Sequence, residues 1–146
     1  MSTADFPPVI LRPESLAAHD RGGGVRTIPL VRRAVGAQTF LNGITIFDPG
    51  AALPLHLHSC AESVTILAGD AIADIDGVCT ELGSWDTTLV AAGTPHRFRN
   101  ASAIAPMRIL WTYGSIDATR TIIGSGITSR IDAEGAGGSS DPAPPA

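Results

Sequence analysis

The chain has 146 residues, 44% hydrophobic and 16% charged, with a formal net charge of −4 at neutral pH. That length supports one domain with a real core and is short for two. The weak acidity gives no electrostatic reason to expect nucleic acid or an anionic membrane as a partner, and no apolar run approaches the length of a bilayer span.

Sixteen glycines and eleven prolines point to a turn-rich, mostly β protein rather than a helical bundle. The opening MSTADFPPVI has neither the basic start nor the long apolar core of a signal peptide, so a cytoplasmic protein is expected. Residues 1–24 read as an N-terminal extension: ESLAAHD (14–20) suits one or two helical turns, His19 is expected to be solvated, and Gly22–Gly24 read as flexible. From Arg26 onward, short apolar segments alternate with turn signals every eight to twelve residues, the pattern of a β-sandwich or small barrel. The chemistry is placed in a domain spanning 25–125. Residues 126–146 form a tail, and the last fifteen, DAEGAGGSSDPAPPA, lack the apolar content to pack and are expected to be disordered.

Three of the four histidines fall at two turn-bounded places. In LPLHLH, His56 and His58 are two residues apart, and side chains at i and i+2 of a strand share a face. After the turn SCA, a strand starts at Glu62, which an antiparallel hairpin would fold back beside the two imidazoles. Val64 and Ile66 then share its inward face, with Ser63, Thr65 and Leu67 outward. His96 follows a proline in AAGTPHRFRN. A lone histidine on an apolar strand is usually a hydrogen-bonded core residue. Two imidazoles, a carboxylate and a remote third imidazole converging in an apolar interior need compensation, and a divalent Fe, Mn, Ni, Cu or Zn provides it.

Gly50, His56, His58, Glu62 and Gly69 match the first cupin motif, G-x5-H-x-H-x3/4-E-x6-G, at every fixed position. Gly93, His96 and Asn100 match the second, G-x5-P-x-G-x2-H-x3-N, with two departures: Ala91 replaces the proline, and Trp85 stands at the first glycine, with Gly83 two residues earlier. Over residues 40–113 the chain thus resembles the cupin superfamily, and is most similar to its compact microbial members. The resemblance implies an all-β jelly-roll barrel, or double-stranded β-helix, holding one divalent metal per chain through His56, His58, Glu62 and His96.

Four protein ligands on an octahedral metal leave two positions for water, substrate or dioxygen. An Fe(II)-type dioxygenase acting on a small oxygen-bearing molecule is the first reading. A non-redox isomerase, lyase or decarboxylase using Mn, Zn or Ni as Lewis acid is the second, and a small-ligand-binding or sensor module without turnover the third.

Phe98 shares the face of His96, with Arg97 and Arg99 turned away. Met107, Ile109, Trp111 and Tyr113 form one alternating face, so Phe98, Ile109 and Trp111 are expected to line the pocket, and Tyr113 is a candidate general acid. No arginine is clearly inward unless the phase at Arg108 is off by one. Two cysteines are too few for a disulfide framework: Cys79 reads as a small buried hydrophobe, whereas Cys60 continues the phase of His56 and His58 and is expected at the pocket. Small cupins commonly pair, and VILRP near the N-terminus could add a strand to a neighbouring barrel, so a homodimer is expected.

Overall fold

The computed structural model describes residues 7–133. Twelve strands are formed: β1 His19–Gly22, β2 Val25–Pro29, β3 Leu41–Phe47, β4 His56–His58, β5 Glu62–Ala68, β6 Ala71–Ile75, β7 Val78–Leu82, β8 Thr87–Val90, β9 His96–Asn100, β10 Met107–Tyr113, β11 Thr119–Ile122 and β12 Thr128–Arg130. They make two six-stranded sheets, ordered β1-β2-β3-β10-β5-β8 and β12-β11-β4-β9-β6-β7, and every pairing is antiparallel. From β3 onward the chain passes back and forth between the sheets, which makes the all-β fold a jelly roll.

Period-two alternation drives this arrangement. In β5, Glu62, Val64 and Ile66 are buried while Ser63, Thr65 and Leu67 are partly exposed. In β10, Met107, Ile109, Trp111 and Tyr113 are buried, and Arg108 is exposed. The two strands pair with Ile109 opposite Ile66, Trp111 opposite Val64 and Tyr113 opposite Glu62, so their inward faces coincide. Leu41, Phe47, Val64, Ile66 and Met107 are almost fully excluded from solvent. Burying each such side chain contributes roughly 1.5–3 kcal/mol.

Sharp turns carry the register. Asp76 and Gly77 both take positive φ (49° and 81°) between β6 and β7, as a tight two-residue hairpin requires. Gly69 has φ 93°, and a Cβ there would lie 2.6 Å from the Pro106 carbonyl oxygen, so this position in the first motif tolerates nothing larger. Trp85 adopts φ 74° with its amide donating to the Ile66 carbonyl. A tryptophan thus takes a left-handed turn at the position where the motif has its first glycine.

Both ends differ from expectation. The segment 14–20 is not helical beyond a 3-10 turn over Pro13–Ser15, because β1 begins at His19 and pairs with β2 across the turn at Gly23 and Gly24. His19 lies in that strand opposite Thr27. At the other end, β12 pairs with β11, and a 3-10 turn over Ile131–Ala133 buries Ile131 in the core. Residues 126–133 thus belong to the folded body. The expected disorder of the tail falls mostly on 134–146, outside the described residues.

Candidate metal centre

His56 and His58 project from β4 and His96 from the neighbouring β9, where His56 and His96 are register partners. One ring nitrogen from each lies within 4.8 Å of the others. All three are buried, at 5%, 2% and 1% exposure, as is Glu62 at 4%. Glu62 arrives differently from the expected hairpin. Strands β4 and β5 do not pair, since the turn between them crosses from one sheet to the other. The carboxylate meets the imidazoles from the opposite wall, with Oε1 at 2.9 Å from His96 Nε2 and 3.3 Å from His58 Nε2.

Backbone carbonyls orient the rings. The Nδ1 of His56 donates to Pro54 O at 2.7 Å, that of His58 to Thr119 O at 3.2 Å, and that of His96 to Thr94 O at 2.8 Å. A carbonyl only accepts, so each Nδ1 carries the hydrogen and each Nε2 is left as the ligating nitrogen, the usual outer arrangement of metal-binding histidines. His58 Nε2 is buried with no hydrogen-bond partner, its contact to Glu62 lacking bonding geometry. A buried lone pair left this way is costly in an apolar interior and suits a cation.

Electrostatics agree with that fit. Burial pushes the His56 imidazole well below its ordinary pKa, and the neighbouring His58, His96 and Arg120 push it further. Burial also lowers His96, but its hydrogen bond to Glu62, the charge of that carboxylate and the Thr94 carbonyl together outweigh this and raise it. Burial would raise the Glu62 carboxyl, yet His58 and His96 hold it well below the carboxylate range. Without a cation, the contact between His96 and Glu62 favours a protonated imidazole beside the carboxylate. With one, three neutral nitrogens and one anionic oxygen are the donor set, which fits a divalent transition metal.

The cluster opens on a cavity of about 30 Å³ lined by Phe98, Ile109, Trp111 and Tyr113 among others, as the alternation of β9 and β10 indicated. Tyr113 stacks edge-on against His58 with ring centroids 4.6 Å apart. Trp111 is fixed by its neighbours: its Nε1 donates to Thr45 Oγ1 at 2.9 Å, and Thr45 Oγ1 in turn lies 3.2 Å from Thr27 Oγ1. Opposite Trp111 stands Gly43, where a Cβ would come within 2.4 Å of the indole.

Cys60 does not line this cavity. The turn after β4 breaks the strand phase, and the partly buried thiol sits by the Gly114 and Ser115 backbone, raised above its ordinary pKa chiefly by burial. Cys79 is exposed rather than buried, because β7 is an edge strand, and its Sγ donates to Asp74 at 2.8 Å.

Two inward arginines escaped sequence reasoning. Arg21 on β1 and Arg120 on β11 are buried and line the same cavity as His56. For Arg120 a signal existed, since TRTI alternates and places Arg120 with Ile122 on the buried face. Arg21 was hidden by the glycines after it, which make a hairpin turn rather than a loose linker.

The match to the cupin domain family covers residues 43–113, both motifs included. A polyketide synthase from Streptomyces cyaneus, CurC, is 33% identical over 81 residues, 55% of this chain and 52% of that protein, so the chain spans about half the length of this relative. The polyketide cyclase RemF from Streptomyces resistomycificus superposes with a TM-score of 0.69 at 17% identity, covering 85% of each chain. A predicted oxalate decarboxylase from Thermotoga maritima superposes with a TM-score of 0.66 at 20% identity, covering 73% of this chain and 99% of that one. Both motifs fold about one buried cluster within the matched span, so residues 43–113 match the cupin domain family, and the same barrel fold recurs in these structures.

Proposed function

We propose that this protein is a metal-dependent enzyme acting on a small oxygen-bearing organic molecule, through non-redox chemistry at a carbonyl group. The single observation that carries this is the buried set of three Nε2 atoms facing the Glu62 carboxylate at the end of a cavity. A divalent metal held by His56, His58, His96 and Glu62 would supply Lewis acidity toward a carbonyl or enolate oxygen. The likeness to CurC and to a polyketide cyclase supports a substrate of the β-dicarbonyl type.

The chain's own residues have definite tasks in that reading. Trp111 and Phe98 wall the cavity and exclude water from a reactive enolate. Tyr113, across from Glu62 and against His58, holds a phenolic proton at the cavity and is placed to pass it to a substrate oxygen or carbon. The cavity is too small for an organic substrate as it stands. A substrate would therefore enter only with displacement of wall side chains.

The second reading is an Fe(II)-type dioxygenase. It is favoured by the donor set itself, which on an octahedral iron leaves two positions for a chelating substrate and dioxygen. Metal analysis of protein purified without chelator comes first, followed by turnover of linear poly-β-ketones and β-diketones by zinc, manganese and iron forms with an oxygen electrode. Product formed anaerobically by the zinc or manganese form supports the carbonyl reading. Oxygen consumption confined to the iron form replaces it with the dioxygenase. Saturable binding with no product under any metal leaves a ligand-binding module.

A further inference from the structure

We propose that Leu53 gates the cavity: a substrate reaches the centre by displacing this side chain, whose bulk sets how wide a molecule is admitted. This rests on the reading of His56, His58, His96 and Glu62 as a metal centre. The cavity of about 30 Å³ is closed to anything much larger than water, so some part of its wall gives way when a ligand enters. Among the described residues of that wall, Leu53 alone is only partly buried; every other is buried. Leu53 packs against the core while still meeting solvent, so its side chain stands between the cavity and water.

The surrounding backbone points to the same side chain. Among the described wall residues, Leu53 and Ile131 lie outside the strands, and the rest ride on the two six-stranded sheets. Ile131 is anchored: its amide donates to Ala118 O at 2.9 Å, and the next residue, Asp132, accepts from the Arg33 amide at 3.2 Å and Arg33 Nε at 3.3 Å. Leu53 sits in the irregular link between β3 and β4 and has no polar side-chain atom to tether it. Pro54 confines the Leu53 backbone to extended conformations. The link is also tied to β9, with Asn100 N donating to Ala51 O at 2.9 Å and Ala52 bridged to Arg99. The backbone is thus held, and the gate opens by turning the leucine through its staggered rotamers. Because the Pro54 carbonyl accepts from His56 Nδ1, this opening lies beside the centre. Its outer rim is apolar: Leu55 and Ile123 are both exposed, and Ile123 N donates to Leu55 O at 3.1 Å, which favours a substrate with an apolar body.

The test uses the full chain loaded with cobalt(II) and two probes, acetohydroxamic and benzohydroxamic acid, which share a metal-chelating end and differ in width. Association is followed by stopped flow in the cobalt absorption bands. In the unaltered protein the narrow probe is expected to associate about tenfold or more faster than the wide one. Leu53→Ala should speed the wide probe about tenfold and Leu53→Phe slow it by a similar factor, with the narrow probe in Leu53→Ala changed less than about threefold. Ile131→Ala, which enlarges the cavity from a buried position, should leave the wide probe within about threefold. Should Ile131→Ala or one Leu53 variant fail to fold, the remaining Leu53 variant and the unaltered protein decide. Equal rates for the two probes in the unaltered protein overturn the gate and leave the metal centre standing. So does a wide-probe rate unchanged in the folded Leu53 variants, or one raised more by Ile131→Ala than by Leu53→Ala. Bands that form but respond to neither probe, in the unaltered protein and in Leu53→Ala alike, also overturn the gate. A chain that takes up no cobalt overturns the metal reading, and this inference with it.

Discussion

Replacing Asn100 probes how the second motif is tied to the first. Its side chain, 4% exposed, donates from Nδ2 to three carbonyls, Phe47 O at 3.2 Å, Asp48 O at 3.1 Å and Ala105 O at 2.8 Å. Its Oδ1 accepts from the Ser102 amide at 2.9 Å. The residue thereby pins the end of β3, just before the glycine that opens the first motif, to the loop after β9. Asn100→Ala removes about three net bonds worth roughly 1 kcal/mol each and leaves buried carbonyls unsatisfied, so a loss of about 3–5 kcal/mol is expected. In urea this lowers the midpoint by about 1–3 M, read from the fluorescence of the buried Trp111. Asn100→Asp is the sharper test, because it places carboxylate oxygens against those carbonyl oxygens. At pH 7 it should be more damaging than alanine. Its carboxyl would have a raised folded-state pKa, so the penalty should be fully present at neutral pH and shrink as pH falls and an O–H donor returns. A cost below about 1 kcal/mol for alanine, or an aspartate no worse than alanine at pH 7, would refute the pinning role.

Four further outcomes are expected. Metal uptake should release protons into weak buffer, and more of them at lower pH, because the ion competes with protons for the imidazoles, and His58→Ala should abolish tight uptake; metal content unchanged in that variant rules the site out. Gly43→Ala should cost roughly 1–3 kcal/mol and alter the near-UV circular dichroism of Trp111, since the new Cβ meets the indole at 2.4 Å and the Ile28 carbonyl at 2.8 Å. Trp85→Gly should stabilise the fold by up to about 1 kcal/mol, read as a raised melting temperature, because strain at φ 74° outweighs the entropy of the glycine; a lowered melting temperature counts against that balance. Hydrogen bonds from Arg99, joined by Cys79 and Arg97, hold the Asp74 carboxyl well below its ordinary pKa. Its contribution, about 1 kcal/mol, should be present above the unfolded carboxyl pKa and vanish as pH falls through the lower folded one, and Asp74→Asn should flatten that part of an acid titration of stability.

Period-two alternation made most of the barrel legible, because a strand with one buried face writes its orientation directly into residue order. The inward faces of β5, β9 and β10, and with them Phe98, Ile109, Trp111 and Tyr113 on the cavity, follow from that rule. Motif spacing brought His56, His58, Glu62 and His96 together, but not the route Glu62 takes. A short turn after β4 reads equally as a hairpin or as a step between sheets, and only long-range packing decides. The same limit explains Cys60, whose phase is lost in that turn, and Cys79, whose burial depends on β7 being an edge. Arg120 was missed because a charged residue in a strand is read as outward by default, and Arg21 because its segment reads as a loose extension rather than a strand. The cavity that accommodates them is made by both sheets and is invisible in either segment alone.

The division of the donor set between the two sheets has a mechanical consequence. All three imidazoles ride on adjacent strands of one sheet and move as a unit, whereas the carboxylate is mounted on the other. Parting the sheets by an ångström would therefore leave the nitrogen triangle intact and withdraw the oxygen. The two resulting donor sets prefer different partners: three imidazoles alone suit copper or zinc, and the added hard oxygen draws in manganese or iron. In the metal-centre reading, whatever wedges or clamps the barrel, at its termini or in its core, would thus also tune which ion it selects.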